Sequence, residues 1–202
     1  MLLRTEEHII AHQLRDFPEW HQGVSHYGIW CVMLDEPLWL RPVAAAQAHV
    51  RRLLHPGYRR QPHITLFAGG LLAARFFSDE TLARQRLALT NARIQPFRLQ
   101  LPGHLDSFAT APHLPVVDCD GGLANIRALL AAVAAEDSPG DRYHPHITLG
   151  FYRTSVPVSE VAARLRVFSQ PPVSWTATSL SFCRFATADT QGPLETVFRL
   201  PL

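Results

Sequence analysis

The chain has 202 residues, 47% of them apolar and 18% charged, enough for one large domain or two small interleaved lobes and too apolar for wholesale disorder. All 19 basic residues are arginine, which excludes a Schiff-base lysine, a P-loop lysine and a lysyl-nucleotide ligation intermediate. A net charge of +2 is too small to draw nucleic acid by bulk attraction, so any anion site must be built locally.

In chain order, the apolar spacing predicts a helix over about 6–14 and a strand over 27–34. A helix follows over 42–55, with Pro42 at its start. Next come a strand carrying PHITL at 62–66, a helix over 78–90 and an alternating strand over 97–101. The alanine- and leucine-rich stretch 122–136 reads as a helix capped by Asp120, ahead of a second PHITL at 145–149. A shorter helix over 159–168 and strands over 174–185 and 195–200 close the chain. No apolar run reaches transmembrane length, and the start, MLLRTEE, turns acidic before any signal-peptide stretch. Cys31, Cys119 and Cys183 are odd in number and lack CxxC spacing, and Cys31 and Cys183 lie in strand-like runs, so they read as buried thiols in a reducing compartment, with the cytoplasm as the expected location.

One feature divides this order. Residues 56–66 read PGYRRQPHITL and residues 139–149 read PGDRYHPHITL, identical at eight of eleven positions. The offset of 83 residues is too long for a solenoid unit and indicates two copies of a lobe. Both halves then read helix, PG turn, PHITL strand, helix, strand. The expected fold is mixed α/β (α+β), bilobal and duplicated, with two antiparallel-rich sheets flanking a central cleft and helices outside. As a domain it runs over 1–202, with lobes of about 26–102 and 103–202 and a helical extension over 1–25.

Side chains alternate along a strand, so His63 and Thr65 share one face while Ile64 and Leu66 take the other; His146 and Thr148 repeat the pattern. Lobes packed about a pseudo-two-fold axis bring two imidazoles and two hydroxyls to one concave site. That set suits phosphodiester chemistry without a metal. A neutral histidine removes a proton from the attacking oxygen and a protonated one supplies the departing oxygen. The threonines donate to phosphoryl oxygens as charge builds.

The paired H-x-T-x motifs, His63-Ile64-Thr65-Leu66 and His146-Ile147-Thr148-Leu149, resemble those of the 2H phosphoesterase superfamily, nearest its 2′-5′ RNA ligase and cyclic phosphodiesterase branch. The closing strands, SLSFCRF and TVFRLPL, resemble that family's final hairpin. The resemblance implies a bilobal fold with a central cleft, no metal or other cofactor, and a hydrolase opening 2′,3′-cyclic phosphates of RNA ends or nucleotides to 2′-phosphates. His63, Thr65, His146 and Thr148 carry over as the catalytic set. It implies an RNA-processing role with an RNA end or cyclic nucleotide as partner, and neither a membrane nor an obligatory protein. ATP-independent 2′-5′ RNA ligation at the same site and non-catalytic RNA-end binding are the alternatives.

Further candidates surround the motifs. Arg59 and Arg142 occupy equivalent positions and suit either phosphate contact or bracing of the turn. Arg153 follows the second motif within reach of an anion. Tyr152, Phe67, Tyr143 and Trp30 are aromatic candidates for base stacking or for plain packing. His144 with His146, and Asp118 with Asp120, have spacings seen in metal sites. But Gln61 stands where His144 would repeat, so the symmetric set is the inner histidine alone. His8 and His12 read as a surface pair on the first helix.

Overall fold

The computed structural model describes residues 7–134 and 143–202. It contains α1 (Pro18–His21), β1 (His26–Met33), α2 (Pro37–Val50) with a 3₁₀ turn (Arg51–Leu53), β2 (His63–Leu71), α3 (Asp79–Ala92) and β3 (Phe97–Leu101). Then come β4 (Asp106–Ser107), β5 (Pro112–Pro115), β6 (Val117–Asp118), α4 (Gly122–Val133), β7 (His146–Thr148), α5 (Val158–Arg166), β8 (Val173–Ala177), β9 (Ser179–Ala186) and β10 (Glu195–Pro201). The mixed α/β class matches expectation.

The strands form three antiparallel sheets among the described residues, ordered β10-β9-β1-β2, β6-β3-β8 and β4-β5-β7. Chain order does not divide them at residue 102. β3 pairs with β8, and the closing hairpin β9–β10 joins β1. Each PHITL strand is an edge of its sheet, and β2 and β7 pack beside each other, so the two motifs meet at the seam.

β1 is buried on both faces. Trp30 and Val32 enter the main core with Ile64, Leu66 and Phe182, while Ile29 and Cys31 join Cys183 and Leu194 in a smaller cluster on the other side. The Trp30 indole donates to Gln85 Oε1 of α3 at 2.7 Å, satisfying its one polar atom in the core; it is a packing residue. α3 starts on Ser78, whose Oγ accepts the Thr81 N–H at 3.1 Å. Gly122 opens α4 because a Cβ there would lie 2.1 Å from Phe97 Cγ, so the close approach of α4 to β3 requires glycine.

Three local expectations are corrected. Residues 7–14 are not helical. They run as an extended strap, with Ile9 buried and Ile10 exposed. Its amides at Ile9, Ile10 and His12 donate to Val156, Ala109 and Tyr152 carbonyls at 2.8–3.0 Å. Satisfying this backbone against two loops outweighs the local helical spacing, and His8 and His12 form no helical pair. α2 begins at Pro37, leaving Pro42 inside it; the helical bond that proline cannot donate is the one to the carbonyl of the exposed Leu38, in the helix's first turn. Asp118, not Asp120, accepts from α4 at the Ala124 N–H, while Asp120 holds Arg98. Residues 135–136 at the expected end of that helix lie outside the described residues.

Candidate active site

Each motif histidine stands at the first residue of its strand and is tied to the carbonyl two residues back. His63 Nδ1–H donates to Gln61 O at 2.8 Å and His146 Nδ1–H to His144 O at 2.7 Å. Proline intervenes in both copies, at Pro62 and Pro145, and biases the preceding residue to extended backbone. The same short sequence therefore builds the same anchor twice. The anchor places the proton on Nδ1 and leaves the Nε2 lone pair for chemistry.

The two anchors differ in support. Gln61 is clamped by its own side chain, whose Nε2 donates to Leu194 O (3.2 Å) and whose Oε1 accepts Leu194 N–H (2.8 Å). His63 is 8% exposed and its pKa is pushed down to about 4, first by burial and then by the Arg60 and His146 charges, against the Gln61 bond. His146 is half-buried and is also held below the ordinary imidazole value, chiefly by burial, with the His144 bond opposing. Both rings rest neutral near pH 7.

Thr65 lies opposite Cys31 of β1, and Thr148 opposite His113 of β5. The copies are braced across the seam. Tyr143 OH donates to Thr65 O at 2.9 Å, and Arg127 of α4 donates to Leu66 O while lying 4.0 Å over the Tyr143 ring. Tyr143 thus ties the second motif to the first, and burial raises its pKa well above the phenol value.

The remaining candidates separate. Tyr152 is fully buried, with its OH 2.6 Å from Ser107 Oγ, so it packs as a core residue. A β-bulge sets Phe67 opposite Trp30 while Thr65 faces Cys31. A bulge turns two successive residues toward one side, so Phe67 packs with Leu66 on the main core. Arg59 is exposed and ion-paired with Asp189 at 2.6 Å, which favours the bracing role. Arg153 is exposed and lines a groove of about 610 Å³ with Arg51, Arg52, His55 and Tyr58; Leu149, which alternates away from Thr148, lines it too. Arg142 lies outside the described residues. Among the described residues no group of three or more His, Cys, Asp or Glu could hold a metal ion, and no helix is long and apolar enough to cross a membrane.

Two neighbours carry no sequence signal of their own. Arg60, equivalent to Tyr143 under the 83-residue offset, lies 4.0 Å over the Phe185 ring and donates to Gly192 O at 3.2 Å, leaving Nη2 buried without a hydrogen bond among the described residues. Its charge is felt at His63. His113 sits beside His146, with ring centroids 5.2 Å apart. Only the pairing register of β5 with β7 reveals it.

Residues 34–189 match the sequence profile of the 2′-5′ RNA ligase superfamily, and no curated protein matches the chain. Among solved structures the chain is similar to Escherichia coli LigT (18% identity, TM-score 0.62, 89% of this chain and 99% of that one). It is also similar to TT0787 of Thermus thermophilus (21%, 0.56, 87% and 97%). Kluyveromyces marxianus Usb1 with uridine monophosphate is similar at 12% identity and a TM-score of 0.50, over 89% and 99%. At these identities the structures attest the fold. With the profile spanning most of the chain and both motifs, the chain belongs to the 2′-5′ RNA ligase superfamily.

Proposed function

We propose that this chain is a metal-independent phosphodiesterase that opens 2′,3′-cyclic phosphates, on RNA ends or nucleotides, to 2′-phosphates. The observation that carries the reading is the matched pair of Nδ1–H anchors on two motif strands that pack beside each other, each leaving an Nε2 lone pair for chemistry. One imidazole takes a proton from water as its oxygen bonds to phosphorus. The P–O3′ bond breaks, and the other imidazole, protonated, delivers its proton to O3′. Both free rings rest neutral, and the bound phosphodiester anion raises their pKa values, so the site takes up its catalytic proton with substrate. Thr65 and Thr148 donate to the non-bridging oxygens.

Superfamily membership and the solved LigT complex with 3′-AMP support a nucleotide-sized phosphate ligand. The test is incubation of EDTA-treated protein with a 2′,3′-cyclic nucleotide and with an oligoribonucleotide ending in a cyclic phosphate, read by ³¹P NMR. A 2′-phosphomonoester is expected. A 3′-phosphate, or turnover only after added metal, overturns the reading. In the same assay, 2′-5′ ligation with a 5′-hydroxyl in place of water would show as a longer strand.

A further inference from the structure

The chain beyond the second motif keeps its side chains on the motif's face. From His146 onward, Ile147 and Leu149 enter the main core, and the next core residue is Tyr152, three positions on rather than two. The backbone shows the same slip. Leu149 N–H donates to Pro112 O at 3.1 Å and Tyr152 N–H to Thr110 O at 3.0 Å, so a step of three residues here matches a step of two on the neighbouring chain. That is a β-bulge, and it falls at Gly150, whose φ of 144° suits glycine. The slip reverses the alternation. Phe151 and Arg153 therefore stand on the face that carries His146 and Thr148, with Arg153 at most about 16 Å along from Thr148.

Arg153 lines the groove of about 610 Å³, a volume in the range of ligand clefts. Its walls are tied together by His55 N–H to Phe151 O at 2.9 Å and Arg153 N–H to Leu53 O at 3.0 Å. Arg51, Arg52 and Arg153 line it, all exposed, and no Asp or Glu does. None of the three has an ion pair among the described residues, whereas Arg15, Arg59, Arg98, Arg184 and Arg199 each hold a carboxylate. A chain of net charge +2 thus gathers three unpaired guanidiniums in one groove. Their forks match phosphate oxygens. Leu54, Pro56 and Tyr58 beside them give bases an apolar and aromatic surface. Tyr58 also packs edge-on against Phe151, with ring centroids 5.8 Å apart, which joins the groove to the motif face.

We propose that this groove binds the phosphodiester backbone of an RNA strand whose cyclic end lies at His146 and Thr148, so that an oligoribonucleotide, not a mononucleotide, is the preferred substrate. This rests on the phosphodiesterase reading and adds a site for the body of the strand, away from the reacting phosphate. Contacts to phosphates remote from the bond being broken add affinity that a mononucleotide cannot use. They also make the affinity fall with salt, by one counterion-release step for each phosphate neutralised.

The experiment has two arms. The first reads binding without turnover, by fluorescence anisotropy of a labelled oligoribonucleotide of about six nucleotides that ends in a 2′-phosphate, at several salt concentrations. A variant combining Arg51→Gln, Arg52→Gln and Arg153→Gln is expected to bind it at least about tenfold more weakly and to flatten the plot of log K against log salt by about 2 in slope. A control combining Arg84→Gln and Arg93→Gln, which removes exposed charge from α3 and its C-terminal cap, is expected to bind like the wild type. Equal losses in the two variants, no loss in the groove variant, or inorganic tripolyphosphate bound as tightly as the oligoribonucleotide overturns the proposal. The second arm compares kcat/KM for an oligoribonucleotide with a cyclic end and for a 2′,3′-cyclic mononucleotide. The wild type is expected to prefer the oligoribonucleotide by at least about tenfold, and the groove variant to lose most of that preference. A loss by the same factor on both substrates overturns the proposal. A wild-type protein that opens neither substrate defeats the phosphodiesterase reading instead, and the anisotropy arm still decides whether the groove holds an RNA strand.

Discussion

The same five residues, PHITL, occur twice in this molecule and end in unequal surroundings. In the first copy they open a nine-residue strand at the edge of a four-stranded sheet, and the anchoring carbonyl of Gln61 is locked from both ends of its side chain. In the second they form a three-residue strand whose anchor residue, His144, is exposed. Yet the imidazole-to-carbonyl bond is the same to within 0.1 Å (2.8 and 2.7 Å). A geometry written into a few consecutive residues survives a change of environment. The surrounding wall does not: Cys31 faces Thr65, whereas His113 faces Thr148. The duplicated core of the site is symmetric, and its flanks are where the two halves specialise.

The largest effect expected from breaking this comparison is loss of either imidazole. His63→Ala and His146→Ala should each lower kcat by at least about 100-fold, measured on a 2′,3′-cyclic nucleotide with circular dichroism to check the fold. Near-wild-type activity in either variant would mean that only one copy is chemical. Thr65→Val and Thr148→Val come next, with kcat reduced by about 10- to 100-fold. Unequal losses between them would measure how far the different flanks of the two copies, Cys31 opposite Thr65 and His113 opposite Thr148, change the threonines' contribution.

Smaller effects sharpen the difference in support. Gln61→Ala removes both bonds to Leu194 and should cost about 1–2 kcal/mol in urea unfolding. His144→Ala, at the equivalent exposed position, should cost less than about 0.5 kcal/mol, because its carbonyl anchor remains. Acidification provides a further contrast. The folded-state pKa of His63 lies at about 4, below the ordinary 6.5, so the unfolded chain binds the proton first. Stability is complete above about pH 6.5 and falls as the pH drops toward 4, by on the order of 3 kcal/mol for His63 alone. His63→Gln should flatten that slope in urea titrations between pH 7 and 4.5; an unchanged slope would show that His63 is not held neutral by the fold.

The motif geometry was legible because it is local and repeated, and so were the cores of most elements, such as the strand Phe97–Leu101, whose bounds match expectation. What was not legible depends on long-range partners. The strap at 7–14 has helix-like spacing, but its amides are claimed by loops about 100 and 145 residues away. The closing hairpin was legible as two strands, but not as neighbours of β1, because pairing across such a separation leaves no local trace. Tyr152 looked free to stack and is sealed in the core by Ser107, while His113, in the unremarked stretch APHLP, reaches the site only through its register with β7.

The measurement that bears most directly on the central claim is a double-variant cycle on the two motif histidines. If His63 and His146 work as one acid–base unit, the double Ala variant should have nearly the same residual kcat as either single variant, because removing one already disables the other. Losses that multiply, with the double variant lower than each single one by the full factor of the other, would show two independent contributions and contradict the shared mechanism.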